Sequence, residues 1–138
     1  MTIRTIIVAA VASLSFTGTG LGQFWAPSST ELTAPDSGTF GSSVAIDGDT
    51  CVIGAAGTSG TGSAYVFTNT NGTWSQVAEL TATDGASYDN FGYSVAIDGD
   101  TCVIGALGTN SSTGSAYVFT NTNGTWSQVA ELTATDGA

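Results

Sequence analysis

Basic and imidazole side chains are almost absent from this sequence of 138 residues. It has a single Lys or Arg, which is Arg4, and no His, against eleven Asp and Glu. Binding to nucleic acid needs Lys and Arg to neutralise phosphates, and attachment to anionic lipid needs the same charges. Without His and Lys, the common general bases of enzyme catalysis near neutral pH are also missing. The composition therefore argues against nucleic-acid binding, lipid attachment and acid–base catalysis.

No apolar run is long enough to span a membrane as a helix. Residues 6–16 form a run of about 11 residues, whereas a spanning helix needs about 20. The run follows Arg4 and precedes a small-residue stretch that ends at Gly22. This is the pattern of a secretory signal peptide, with cleavage after Gly22 or, alternatively, after Gly20. We expect a secreted or cell-surface protein with no membrane insertion after signal removal, and a mature net charge of −11.

An internal repeat dominates the rest of the chain. Residues 43–55 recur unchanged as residues 94–106, and residues 61–86 recur unchanged as residues 113–138. The corresponding offsets are 51 and 52 positions. The copies differ mainly before the Phe-Gly pair and after the Gly-Ala pair, where loops tolerate changes in length.

Each copy contains four runs typical of β-strands. In the first copy these are residues 43–46, 50–55, 63–68 and 73–81. The second run is apolar on both faces, as in a strand buried on both sides. Asp-Gly-Asp follows the first run and Asn-Gly precedes the last, and both suit tight hairpin turns. We predict an all-β fold of β-propeller-type blades, each with four antiparallel strands in about 51 residues, with a repeat-built sandwich or solenoid as the alternative.

Strict alternation also assigns the side chains of the fourth run to faces. Four of them would share one face, namely Trp74, Gln76, Ala78 and Leu80. Val77 and Glu79 would then lie on the opposite face. In the first run, Val44 and Ile46 share a face by the same argument.

These motifs resemble the FG-GAP repeat family, the β-propeller repeats also found in integrin α-subunit heads. The motif that names the family is present as Phe40-Gly41 with Gly54-Ala55, and as Phe91-Gly92 with Gly105-Ala106. Ala56 and Leu107 replace its usual Pro. Longer phrases such as GSAYVFTNTNGTWSQVAELTA resemble the subgroup common in large secreted bacterial proteins. The resemblance covers residues 31–138 and implies seven-bladed propellers that act as binding or adhesion surfaces.

The predicted organisation places a signal peptide at residues 1–22 and a linker at residues 23–30. FG-GAP-like repeats follow at residues 31–78 and 79–130, and residues 131–138 begin a third. Two repeats and a part of a third cannot close a propeller. We expect further repeats in a longer chain, or alternatively other copies of this chain, to complete it.

We expect a non-enzymatic module that provides a binding or adhesion surface to an extracellular protein or glycan. A purely structural repeat spacer in a larger extracellular protein is the alternative. A propeller glycosidase, which would need paired carboxylates, is the remote one. We assign no catalytic, cofactor-binding or metal-ligating residues.

The best candidates for a cation site are the carboxylates of the two Asp-Gly-Asp turns, Asp47, Asp49, Asp98 and Asp100. Oxygen-rich loops suit Ca²⁺, and the resemblance implies a Ca²⁺ loop in integrin-type propellers, although that loop is longer and richer in Asp. Two Asp around one Gly also suit a hairpin turn, which is the interpretation we favour. Weaker candidates lie between the repeats, at Asp84, Asp89 and Asn90. We expect no cofactor, with Ca²⁺ as the open alternative.

Cys51 and Cys102 hold equivalent positions in the most apolar run of each copy. A disulfide needs Cα atoms within about 7 Å, whereas packed sheets lie about 10 Å apart. We therefore expect buried free thiols, which no His is present to activate. The aromatic residues Trp74, Trp126, Tyr65 and Tyr117 could form a carbohydrate platform, but their fixed strand positions favour packing between blades.

Overall fold

The computed structural model describes residues 30–34, 39–57, 60–109 and 113–136. The predicted signal peptide and linker lie outside these ranges, apart from Thr30. Within the ranges, no helix is long and apolar enough to cross a membrane.

The described residues form two four-stranded antiparallel sheets, which confirms the predicted all-β fold. The first sheet contains β1 (Ser43–Asp47), β2 (Thr50–Ala55), β3 (Ser63–Thr70) and β4 (Thr73–Leu80). The second contains β5 (Phe91–Asp98), β6 (Thr101–Ala106), β7 (Ser115–Thr122) and β8 (Thr125–Leu132). In each sheet the strands pair in chain order. The sheets are propeller-like blades, and the two together do not form a closed ring.

Two-residue turns close the hairpins as the sequence predicts. Asn71 has a φ of 52° and Gly72 a φ of 85°, and a type I′ turn needs positive φ at both positions. Asn123 and Gly124 repeat the same values. Gly48, the first residue of the β1–β2 turn, has a φ of 53°, which glycine adopts without steric cost.

The two sheets stack face to face around a buried cluster that we call the inter-sheet core. The first sheet contributes Val52, Ala64, Val66 and Leu80. The second sheet contributes Phe91, Cys102, Ile104, Ala106, Tyr117 and Phe119. Burial of this apolar surface is the main driving force that holds one sheet on the other.

A second buried cluster, which we call the outer cluster, covers the far face of the first sheet. It contains Leu32, Cys51, Ile53, Ala55, Tyr65 and Phe67, with Phe40 and Trp74 packed against it. All of these except Leu32 have a repeat equivalent that the second sheet places in or against the inter-sheet core. Leu32 is instead the equivalent of Leu80, because both follow Glu in the sequence Glu-Leu-Thr-Ala. Leu32 therefore packs on the far face of the first sheet in the same way that Leu80, at the end of β4, packs on the facing side of the second sheet.

The predicted common face of Trp74, Gln76, Ala78 and Leu80 is wrong. Trp74 packs against the outer cluster, whereas Leu80 lies in the inter-sheet core on the other side of the sheet. Glu79, predicted to lie opposite Trp74, pairs across the ladder with Tyr65 of the outer cluster.

A β-bulge in β4 explains this difference. Val66 of β3 pairs with Ala78, but the next residue, Phe67, pairs with Gln76. Val77 is the extra residue, and it is 47% exposed. A single added residue shifts the two-residue period by one position, so the side chains beyond it change face. The same bulge recurs between β7 and β8.

The burial of the second strand differs between the copies. Residues 51–55 of β2 are all buried, as predicted for a strand covered on both faces. In β6, Val103 is 36% exposed, whereas its equivalent Val52 is fully buried. Val103 lies on the outer face of the second sheet. The second sheet covers Val52, but no third sheet among the described residues covers Val103.

Candidate binding surfaces

One end of the stacked sheets consists of hairpin turns, and we call it the hairpin end. In an up-and-down meander, the β1–β2 and β3–β4 turns lie at the same end of the sheet, and so do their equivalents in the second sheet. The turns display Asp, Asn and Thr side chains, and residues 70–73 and 122–125 are exposed. Polar side chains on tight turns between rigid strands are a common arrangement for ligand binding.

The Asp-Gly-Asp turns make contacts that stabilise turns. The backbone N–H of Gly99 donates a hydrogen bond of 2.6 Å to Asp47 Oδ2, which links the turn of one sheet to that of the other. The backbone carbonyl of Asp49 accepts from the N–H of Asn69 at 2.8 Å, and Asp100 and Asn121 repeat this bond. These contacts agree with the interpretation of the sequence as hairpin turns.

No group of three or more His, Cys, Asp or Glu side chains comes together as a metal-ligand set in the part of the chain that the structure describes. Asp89 is buried, and its Oδ2 accepts a hydrogen bond of 2.7 Å from the N–H of Ala86. Asn90 Nδ2 donates to the carbonyl of Tyr88 at 2.8 Å. Asp89 and Asn90 therefore shape the loop between the sheets, and Asp84 is exposed.

The Phe-Gly pair of the second repeat packs on the backbone of the first. The N–H of Phe91 donates to the carbonyl of Thr61 at 2.9 Å, and Gly62 and Phe91 form a parallel β-bridge. The carbonyl of Gly92 accepts a hydrogen bond of 2.8 Å from Ser43 Oγ. The ring of Phe91 packs against Tyr117, with 5.4 Å between ring centroids.

Glycine is required at Gly54 because the sheets approach closely there. A Cβ added at Gly54 would overlap the carbonyl oxygen of Gly92. The two halves of the family motif thus meet across the sheet interface, with the Gly-Ala of one repeat against the Phe-Gly of the next. Sequence reasoning recognised both pairs of residues but did not predict that they touch.

An open groove of about 380 Å³ lies on the outer face of the second sheet. Its lining includes Tyr93, Gly105, Leu107, Gly114 and Leu132. Leu132 is 53% exposed. We call this surface the outer groove.

Two exposed tyrosines were missed by sequence reasoning. Tyr88 is 83% exposed and Tyr93 is 59% exposed. Both fall where the copies differ, since Ser42 stands at the position equivalent to Tyr93 and the loop that carries Tyr88 is longer in the second copy. This difference between the two copies is the sequence signal that could have identified the two tyrosines.

The two thiols are free and buried, as predicted. Cys51 belongs to the outer cluster and Cys102 to the inter-sheet core, so the first sheet lies between them. Burial raises the pKa of each thiol to about 11. A thiol that stays protonated at neutral pH is a poor nucleophile.

Of the aromatic residues considered for a carbohydrate platform, the two tyrosines are buried and the two tryptophans are partly buried. Tyr65 and Tyr117 are 3% and 0% exposed. Trp74 packs against the outer cluster and Trp126 against the inter-sheet core. Burial raises the pKa of Tyr117, and the nearby Asp84 carboxylate adds to the shift.

The best polar cluster outside the turns is small and structural. Ser63 Oγ donates to Glu79 Oε1 at 2.9 Å, and the hydroxyl of Tyr65 donates to the same oxygen at 3.3 Å. Ser115 and Glu131 repeat the first bond at 2.8 Å. The bonds tie the third strand of each sheet to the fourth, and a lone carboxylate beside a serine offers no proton relay of the Ser-His-Asp kind.

Comparison with known proteins agrees with the geometry. A family model described as FG-GAP repeat matches residues 28–67 and 74–119, which together make up more than half of the chain. No curated protein matches the sequence. On the family match, and with one propeller-like blade for each repeat, the chain belongs to the FG-GAP repeat family.

Proposed function

We propose that this chain is a non-enzymatic FG-GAP repeat protein, secreted or displayed at the cell surface, whose blades provide a binding or adhesion surface. The observation that carries the proposal is the hairpin end, where turns of both sheets present polar side chains side by side. The bond between Gly99 and Asp47 holds these turns together. The signal-like start of the sequence, and its resemblance to the secreted bacterial subgroup, support a location outside the cell.

The charge of the hairpin end limits the chemistry of its ligand. Beyond Arg4 the chain has eleven acidic and no basic side chains. Carboxylates and carboxamides bind donors and cationic groups, and they repel anions. An extracellular protein with exposed Lys or Arg, or a neutral glycan that supplies hydroxyl donors, fits this surface.

The absence of His and Lys from the sequence supports a function without catalysis. A glycosidase screen with the whole chain tests this part of the proposal. We expect no turnover of any substrate. Turnover that is abolished by Asp49→Asn would contradict it.

Binding is tested by presenting the immobilised chain to arrays of matrix proteins and glycans. We expect ligands whose binding is weakened at least tenfold by the double variant Asp49→Asn and Asp100→Asn at the hairpin end. The matched control, Asp84→Asn with Asp136→Asn, changes the charge equally at the other end of the sheets. Equal loss in both pairs would show a response to net charge alone and would contradict a site at the hairpin end.

The alternative of a structural spacer is supported by the identity of the turns in the two repeats, since a spacer needs only stacking. It predicts that no ligand is found on either array. It also predicts a rigid, elongated particle by small-angle scattering for a chain extended with further repeats.

A further inference from the structure

We propose that the outer face of the second sheet is a docking surface for the first sheet of a second copy of this chain. Copies would then associate head to tail, in the geometry that already joins the two sheets within one chain. The inference goes beyond the proposed function, which concerns the hairpin end.

The inner interface provides the template for the outer one. On the first sheet, Val52 and Leu80 are 0% and 3% exposed because the second sheet covers them. Their repeat equivalents, Val103 and Leu132, are 36% and 53% exposed. The same apolar side chains, on the same strands, are therefore buried in one sheet and uncovered in the other.

The outer groove is the repeat equivalent of the surface on the first sheet that contacts Phe91-Gly92. It is lined by Gly105, Ala106, Gly114, Ser115, Ala116 and Leu132. Their equivalents in the first sheet are Gly54, Ala55, Gly62, Ser63, Ala64 and Leu80. The backbone of Phe91-Gly92 lies against three of these equivalents, Gly54, Gly62 and Ser63. The outer groove thus has the shape and composition to receive the Phe40-Gly41 pair of a second copy.

The first sheet carries the complementary surface. Val44 and Ile46 are 54% and 55% exposed. Their equivalents Val95 and Ile97 are partly buried and pack against the inter-sheet core. One chain therefore exposes both halves of an interface that it also forms internally, which is the condition for a heterologous, head-to-tail contact.

The polar contacts of the inner interface can also be repeated. Asp98 holds in the second sheet the position of Asp47, which accepts from the N–H of Gly99. In the docked pair Asp98 would accept from Gly48 of the second copy. Ser94 holds the position of Ser43 and would donate to the carbonyl of Gly41 as Ser43 donates to Gly92.

Docking involves an exchange at the outer cluster. Leu32 lies on the first sheet in the place that Leu80 takes on the second. Leu132 of an incoming copy has the same repeat position, so it would replace Leu32 there. The exchange leaves that leucine site filled and adds contacts from Val103 and Val118.

Sedimentation of the full chain over a range of concentrations tests the proposal. We expect a mass that rises with concentration above the 13.7 kDa of one chain, more strongly at high salt because both copies are acidic. Leu132→Asp and Ile46→Asp, which alter opposite ends of the stack, should each weaken association at least tenfold. The matched control is Val129→Asp, because its equivalent Val77 stays 47% exposed beside the formed inner interface. Val103→Asp serves as a second variant if Leu132→Asp does not give the parent circular dichroism spectrum.

Mixing the two disabled variants distinguishes a head-to-tail contact from a symmetric one. Leu132→Asp retains an intact first sheet and Ile46→Asp retains an intact outer groove, so an equimolar mixture should form heterodimers that stop at two copies. A chain that is monomeric at every concentration would overturn the proposal. Association that survives Leu132→Asp would also overturn the proposal, because another surface would then be responsible for it. A mixture that is no more associated than either variant alone would overturn it as well.

Discussion

The backbone of Gly54 lies so close to the carbonyl oxygen of Gly92 that no side chain fits between them. The two glycines belong to successive repeats, one in the Gly-Ala pair and the other in the Phe-Gly pair. Their contact explains why a Phe-Gly and a Gly-Ala pair occur together in each repeat. The Gly-Ala pair of the first repeat thus packs against the Phe-Gly pair of the second repeat.

This contact predicts different effects for one substitution at equivalent positions. Gly54→Ala would force the sheets apart and should lower the free energy of unfolding by about 1–3 kcal/mol. Gly105→Ala meets only the Oγ of Ser94, a side-chain atom that can rotate away, and should cost less than about 1 kcal/mol. Urea denaturation of both variants measures the difference, and equal losses would contradict the close approach.

Leu80 and Leu132 form a second matched pair. Leu80 is 3% exposed in the inter-sheet core and Leu132 is 53% exposed. Leu80→Ala should destabilise the fold by about 2–5 kcal/mol, as is usual for a buried leucine. Leu132→Ala should change the stability by about 0.5 kcal/mol or less, measured at a concentration low enough to keep copies apart. A large loss for Leu132→Ala in such dilute conditions would contradict the exposure of the outer face.

The Asn71 turn predicts a preference for glycine over alanine. Asn71 has a φ of 52°, and holding an ordinary L-residue there costs about 1–2 kcal/mol. Asn71→Ala should therefore lower the stability by about 1 kcal/mol, whereas Asn71→Gly should be nearly neutral. Thermal unfolding of the two variants provides the test, and equal melting temperatures would contradict a left-handed turn residue.

Burial of the thiols predicts a loss of stability at high pH. The pKa of Cys51 and of Cys102 is raised to about 11, above the ordinary value of about 8.5. The folded state holds these protons more tightly, so the contribution is complete below the ordinary pKa and is lost as the pH rises towards about 11. We expect the free energy of unfolding to fall over this range, and to fall less in the double variant Cys51→Ala, Cys102→Ala. Rapid labelling of the native thiols by a disulfide reagent at pH 8 would contradict their burial.

The interpretation of the Asp-Gly-Asp sequences as turns predicts little response to calcium. A cation that bound only the folded state would raise its stability. We expect the melting temperature to stay almost the same in excess Ca²⁺ and in excess chelator. A shift of several degrees that is removed by Asp49→Asn would show a Ca²⁺ site at the hairpin end.

The sequence predicts the strands and turns of this protein because local chemistry determines them. Asn-Gly favours a type I′ turn, and runs rich in β-branched residues favour strands. Exact repetition then predicts that the second sheet copies the first. The structure confirms these three predictions, except that β5 begins at Phe91, whereas β1 begins at Ser43, the equivalent of Ser94.

The faces of the fourth strand could not be predicted in this way. The bulge at Val77 depends on how β3 pairs with β4, and strict alternation along one strand contains no such information. The burial of individual side chains could not be predicted either. Val52 and Val103 lie in identical local sequences and differ only in the residues that pack against them in space. The contact of Gly54 with Gly92 likewise depends on the stacking of two sheets.

The bulge in each fourth strand also affects how unfolding should spread through the molecule. It turns Trp74 and Leu80 to opposite sides of the first sheet, so a single strand supports packing on both of its flanks. Detachment of β4 would loosen both clusters at once. Such nearest-neighbour coupling gives linear repeat arrays their cooperativity. Each blade should therefore melt together with its neighbours, and any blade added to the stack should stabilise those already present.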